Sequence, residues 1–425
     1  MDLQLYACSR LKAVRGQIAV LLQSEFPYKD SEDALKLIDK RFAHMLGIIE
    51  GLDDMSKPSA INYCSGSILL CFENLPLLGF LLRSTNVRNA FESYFPLLRL
   101  AQRVLDEKIK LVISSEWEYS PLLYYRIKLL PGYVLIGFPA SESENPLLIP
   151  LAGHEFGHCA WGNHNMDGVL RPKAEVAIRQ ELLDHRLDEF SALYSNLYRK
   201  EDITRLAGTP GLFGAVPELR YACDLAIKQA EEVFCDFFGL RLFAESYLYA
   251  HALLIAPKTG VGRSLAYPNV ELRVKYLTRA ATAFGVTVPQ EYEEVFEDDS
   301  VRPDKAAMLY VVLADSGSTA LVDDLIISVQ KFISSDMAPM RDSDVVKEIS
   351  ECFRNMVPAP NPVSLADITN SAWVCYLEKD LWKEGYRNLA ADRKKRDRVF
   401  RDLVLKTVQV LEIAQRLGDN HASER

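Results

Sequence analysis

The sequence predicts an α+β, mainly α-helical protein with one small antiparallel sheet and helical additions at both ends, and three observations lead there. Apolar residues recur at three- and four-residue spacing through residues 34–52 and again through 86–105, the period of a helix with one buried face. The period then shortens: residues 111–113, 122–127 and 133–138 are short β-branched and aromatic runs, the last two separated by Pro131-Gly132, as in strands joined by a turn. From 146 onward the helical period returns and continues to the end of the chain.

These shifts divide the 425 residues into a helical N-terminal domain (1–110), a central domain (111–300) carrying a helical insertion at about 166–216, and a helical C-terminal domain (301–425). With 49% hydrophobic and 25% charged residues the chain can bury sizeable cores and is not a disordered polymer. A formal net charge of -9 argues against nucleic acid or an anionic membrane surface as partner, since both reward positive fields. The basic run Arg393-Lys394-Lys395-Arg396-Asp397-Arg398 reads as the solvated start of an amphipathic helix. The eight cysteines lack any C-x-x-C pair and several sit in apolar runs, as reduced core thiols do. With no basic leader before an apolar run at Met1, the expectation is a soluble, cytoplasmic protein. The apolar stretch 68–82 is interrupted by Glu73, Asn74 and Pro76, so a buried helical hairpin is expected there and no membrane span.

Chemistry enters after the strands. Asn145 as N-cap and Pro146 in the first turn predict a helix over 146–161, stopped by Gly162-Asn163, and within it lies His154-Glu155-Phe156-Gly157-His158. Histidines four apart share one helix face, so both imidazoles can reach one ion at about 2.0–2.1 Å. Glu155 is placed to accept a proton from a water whose pKa zinc lowers toward 7. The pattern alone arises by chance in roughly one such chain in a hundred. Two features add to it. Gly153 and Gly157 cost about 1 kcal/mol each in a helix interior and predict the close approach of another backbone. On a later, largely apolar helix over 218–254, Glu232 can supply the third zinc ligand, and Asp236, four residues on, can accept the free N–H of a ligand histidine. Acids on helices, Glu231, Glu232 and Asp236 included, are also commonly a solvated stripe. His164 is the alternative third ligand, at the spacing of three-histidine zinc sites, although Trp161 stands where those sites carry glycine.

With a further segment, Tyr267-Pro268 followed by Arg273, these blocks resemble the gluzincin peptidases, in particular the family of the CAAX prenyl endopeptidases and the bacterial HtpX-type heat-shock proteases, over roughly residues 130–285. The resemblance implies a zincin-like core, Zn²⁺ held by His154, His158 and Glu232, Glu155 as catalytic base, Asp236 behind a ligand histidine, and Arg273 as the family arginine. Tyr267 stands where the family carries histidine, the donor to the developing oxyanion; a phenol is likewise a neutral hydrogen-bond donor, and Tyr267 or Arg273 is the catalytic residue expected to steady the oxyanion.

The expected function is that of a zinc-dependent endopeptidase acting on a protein or peptide substrate; an enzyme that is constitutive and one latent until a regulatory partner or ligand acts, in a stress or defence role, fit the sequence equally. Strand 133–138 is the candidate edge to which an extended substrate adds. The alternative is a non-catalytic, zinc-containing helical scaffold.

Overall fold

The computed structural model describes residues 2–85, 91–116, 122–124, 127–142, 144–209, 212–255, 265–296, 305–334, 337–338, 341–382 and 392–423. Parts of the expected second helix (86–90) and second strand (125–126) lie outside the described residues, as do 210–211 of the Gly/Pro-rich stretch 208–217, which reads as a loop. The fold is mainly α-helical with one small sheet, and the chain forms two compact units: Met1–Gln102 with Asp106–Asn145, and Arg103–Leu105 with Pro146–Arg425.

In the first unit, helices α1 (Leu3–Leu21), α2 (Lys29–Glu50), α3 (Pro58–Glu73), α4 (Leu75–Thr85) and most of α5 (Tyr94–Val104) precede strands β1 (Lys110–Glu116), β2 (Leu122–Tyr124) and β3 (Tyr133–Pro139). Leu11, Phe42, Phe80, Val112 and Leu135 belong to its shared apolar core. The sheet is mixed, not antiparallel. Its order is β1-β3-β2, with β1 parallel to β3 in the register Lys110↔Tyr133 to Glu116↔Pro139, and β2 antiparallel to β3 through Leu123↔Ile136. The physical reason is legible in the burial: β1 and β3 are buried almost continuously, as parallel strands covered on both faces are, instead of alternating. Strand β3 is therefore central, and at Leu135–Gly137 both its sides are paired, so it is not the free edge expected for a substrate.

The apolar segment is also longer than its central run implied. Only Asn74 separates α3 from α4, too short a link for the expected helical hairpin. Together Pro58–Ser84 make 27 residues with mean hydropathy 1.6 in the most apolar window, long and apolar enough to cross a membrane by length and composition, with 33% of that window buried. The expectation that no segment reaches this length is corrected accordingly.

The second unit, to which α8 (Leu187–Leu193), α9 (Lys200–Gly208) and α15 (Ser343–Arg354) also belong, is built around α10 (Pro217–Phe243), which packs against α6 (Ala152–Asn163), α7 (Met166–Glu181), α12 (Val270–Phe284), α13 (Lys305–Thr319) and α14 (Val322–Phe332). Phe234, Phe237, Phe238 and Phe243 of α10 are fully buried. Ahead of α6, Pro146–Leu151 form a 3₁₀ segment where an α-helix was expected. Pro150 is the cause, because it cannot donate to the carbonyl of Pro146 and would clash with it in an α-helix. The long helix expected over 218–254 breaks at Ala244, whose φ of 51° is left-handed, and resumes as α11 (Glu245–Ile255). Asn370 secures the break: its amide donates to the Phe243 carbonyl at 2.8 Å and its oxygen accepts from the Ser246 N–H at 2.9 Å. Asn370 lies on a buried helix, α16 (Leu365–Tyr376). The Pro-rich segment around 357–362 is pinned to the C-terminal helix Arg393–Ser423, the Ala359 N–H donating to Thr407 Oγ1 at 3.1 Å.

Candidate metal centre

The two glycines of the histidine motif do what their placement predicts. A Cβ on Gly153 would stand 2.8 Å from Gly239 Cα, and one on Gly157 would stand 2.6 Å from Cys235 Cα, so α6 and α10 touch backbone to backbone. The helices run antiparallel there, since residues four apart on α6 meet residues four apart on α10 in reverse order. That register brings the histidines of α6 against the carboxylates of α10.

His154 donates from Nδ1 to Asp236 Oδ1 at 2.9 Å, and His158 donates from Nδ1 to Glu231 Oε1, also at 2.9 Å. With both Nδ1 atoms so engaged, the neutral form of each imidazole has its lone pair on Nε2, the form a metal ion binds. The Glu232 carboxylate faces these atoms, Oε2 at 3.5 Å from His154 Nε2 and Oε1 at 3.8 Å from His158 Nε2. The three side chains are partly exposed, at 14%, 17% and 15%, so the cluster opens to solvent on one side.

Asp236, 1% exposed, is the most heavily bonded group of the site. Beyond His154 it accepts from Arg273, with Nε at 2.5 Å and Nη2 at 2.9 Å, and from the Tyr247 hydroxyl at 2.8 Å. Burial would raise its carboxyl, but the Arg273 guanidinium outweighs that and holds it well below the ordinary range. Arg273 is itself 8% exposed, and its Nη2 also lies 3.6 Å from Glu232 Oε2. Its fork is thus committed to Asp236 and Glu232. Tyr247 reaches Asp236 because Gly239 lacks a side chain: a Cβ there would collide with the tyrosine ring. Behind Asp236, buried His251 shares a hydrogen bond between Nδ1 and the Tyr292 hydroxyl at 3.0 Å and turns Nε2 toward Asp236 Oδ2 at 4.0 Å.

The charges set the protonation states. Burial lowers the His154 imidazole, but Asp236 and Glu232 more than offset this and lift it to about 10. Glu155 is 6% exposed; burial raises its carboxyl, the neighbouring histidines pull it down and the Glu232 charge adds to the rise. Tyr267, 46% exposed, stands at the mouth with its ring centroid 5.9 Å from the Arg273 guanidinium carbon. Its phenol is raised chiefly by the charge of Glu232, then by burial, with a smaller contribution from Glu155.

Among the described residues, one ring nitrogen each of His154 and His158 and the sulfur of Cys235 lie within 4.8 Å of one another, a grouping able to hold a metal ion. Cys235 and Glu232 compete for the third place. Cys235 is fully buried and wedged against Gly157; burial, then the charges of Glu232, Glu231, Asp236 and Glu155, push its thiol well above the ordinary range, against the thiolate a metal requires. Glu232 is already anionic, its carboxyl lowered despite burial by His154, Arg273 and His158. Tetrahedral ligands at about 2.0–2.1 Å from zinc stand roughly 3.4 Å apart. The Glu232 separations, 3.5 Å from Oε2 to His154 and 3.8 Å from Oε1 to His158, lie near that spacing for each histidine in turn. His164 is placed elsewhere: it caps the C-terminus of α6, and its ring stacks on Phe332 at 3.7 Å.

No protein-family model, curated protein or solved structure matches the chain.

The structure therefore brings His154, Glu155, His158, Glu232, Asp236, Arg273 and Tyr267 to one place and leaves His164 apart. Sequence reasoning missed Tyr247, His251 and Cys235, and treated Glu231 only as part of an acidic stripe. For Glu231 a signal existed, because an antiparallel neighbour needs its two carboxylates four or five residues apart to meet histidines at i and i+4, and Glu231 and Asp236 have that spacing.

Proposed function

We propose that the protein is a zinc-dependent endopeptidase of the gluzincin type, resembling the CAAX prenyl endopeptidase and HtpX-type family, with His154, His158 and Glu232 as the residues that would hold the ion. One observation carries the reading: the Glu232 carboxylate faces both Nε2 atoms, at 3.5 Å from that of His154 and 3.8 Å from that of His158, while separate carboxylates hold both Nδ1 atoms. A zinc ion bound there would supply a Lewis acid that polarises a carbonyl and acidifies water.

The chain's own groups supply the remainder. Glu155 takes the proton of the attacking water and delivers it to the leaving amine, a role suited to a carboxyl that burial has raised. Tyr267, a neutral donor at the mouth, hydrogen-bonds the oxyanion as the carbonyl becomes tetrahedral. Arg273, spent on Asp236 and Glu232, holds the carboxylates in place instead of meeting substrate. The presence of Glu155, which no structural zinc site needs, favours catalysis over a zinc-containing scaffold.

Hydrolysis of casein by wild type and Glu155→Gln, each with zinc content measured, tests this. The variant is expected to keep its zinc and lose about 10²–10⁴-fold in rate. Equal rates would remove Glu155 as the base; an inactive, zinc-loaded wild type is the outcome that a scaffold and a latent enzyme share.

A further inference from the structure

Resting on the metal-site reading above, we propose that Glu231 is a positioning residue of the centre, fixing His158 as Asp236 fixes His154. A ligand histidine works only if its ring is oriented and its lone pair lies on the nitrogen facing the metal; the hydrogen bond at the other nitrogen decides both. Asp236 performs this for His154. For His158 the bond is to Glu231 Oε1 at 2.9 Å, the same length as the Asp236 contact.

The antiparallel crossing of α6 and α10 explains how neighbouring glutamates take different tasks. His154 and His158 are separated by about 6 Å of helix rise, and Glu231 and Asp236 by about 7.5 Å, so the two outer acids bracket the histidine pair from below. Glu232 is rotated by about 100° from Glu231 and presents its oxygens to the two Nε2 atoms instead. One stretch of α10 thus carries an orienting acid, a ligand and a second orienting acid.

The two orienting acids are not equivalent. Asp236 is nearly inaccessible and bonded to Arg273 and Tyr247, so its removal also disturbs the fold, whereas the Glu231 side chain is 22% exposed. Glu231 is the member of the pair whose contribution to metal binding can be read with the protein intact.

The test is Co²⁺ titration of the full-length, metal-free protein, followed by visible absorption, for wild type, Glu231→Leu and Glu231→Gln, with the melting temperature of each metal-free form. Glu231→Ala replaces the leucine variant if that does not fold. Glutamine keeps an acceptor oxygen within reach of His158 Nδ1 without the charge. The expected result is a loss of about 10–100-fold in Co²⁺ affinity for the leucine or alanine variant, a smaller loss for glutamine, and an unchanged metal-free melting temperature. Wild-type affinity in the leucine or alanine variant overturns the proposal. So does an equal loss in the glutamine variant, which would make charge alone responsible. A wild type that binds no Co²⁺ fails the metal-site reading itself, and the proposal with it.

Discussion

Gly157 lies so close to Cys235 that a Cβ on the glycine would stand 2.6 Å from the Cys235 Cα and 3.0 Å from its Sγ. Two effects of opposite sign meet in Gly157→Ala. Helix propensity favours alanine by about 1 kcal/mol. Overpacking a fitted interface costs about 1–3 kcal/mol, and here the obstacle is backbone, which cannot swing aside. The substitution is expected to destabilise the protein in urea denaturation; a more stable variant would mean that α6 and α10 are less closely packed than described.

Asp236 yields a second prediction through its partners. Arg273→Met leaves a buried carboxylate without its cation and is expected to cost about 3–5 kcal/mol in chemical denaturation, with Asp236→Asn restoring part of the loss in the double variant. Tyr247→Phe removes one hydrogen bond to the same charged group and should cost less, about 1.5–3 kcal/mol. A double variant no more stable than Arg273→Met would show that the two residues act independently.

How much of this was legible follows from which features are local. The histidine spacing, the adjacent glutamate, the helix-facing glycines and the Glu232/Asp236 pair are local features of single helices, and the structure brings these residues together where α6 and α10 cross. Tyr247 was not legible, because it reaches Asp236 only after the chain turns at Ala244 through a positive φ that no glycine announces, secured by Asn370 more than a hundred residues later. His251 lies one further turn along the same redirected helix. The parallel pairing of β1 with β3 was missed for another reason: the turn at Pro131-Gly132 correctly implied that the strands beside it are antiparallel, but strand order is a property of the whole sheet. The unbroken apolar character of 111–113 and 133–136 was the available sign of a doubly covered parallel pair.

The Glu245–Arg341 pair gives a pH prediction away from the metal site. Burial raises the Glu245 carboxyl, but the Arg341 fork, at 2.5 and 2.7 Å, outweighs it and leaves the group below its ordinary 4.5. A carboxyl depressed in the folded state adds stability above its unfolded pKa and loses it as pH falls through the folded one. The stability difference between wild type and Glu245→Gln, measured by urea denaturation, should therefore be fully present at pH 7 and shrink below about pH 4.5. A difference independent of pH would show that the pair contributes through packing alone.

The central claim is that His154, His158 and Glu232 form one zinc site and that His164, stacked on Phe332, has no part in it. Zinc content per chain, measured by mass spectrometry on purified wild type, His158→Ala, Glu232→Gln and His164→Ala, tests it most directly. One zinc per chain is expected in wild type and in His164→Ala, and loss of zinc in the other two; full occupancy in Glu232→Gln, or loss in His164→Ala, would overturn this ligand set.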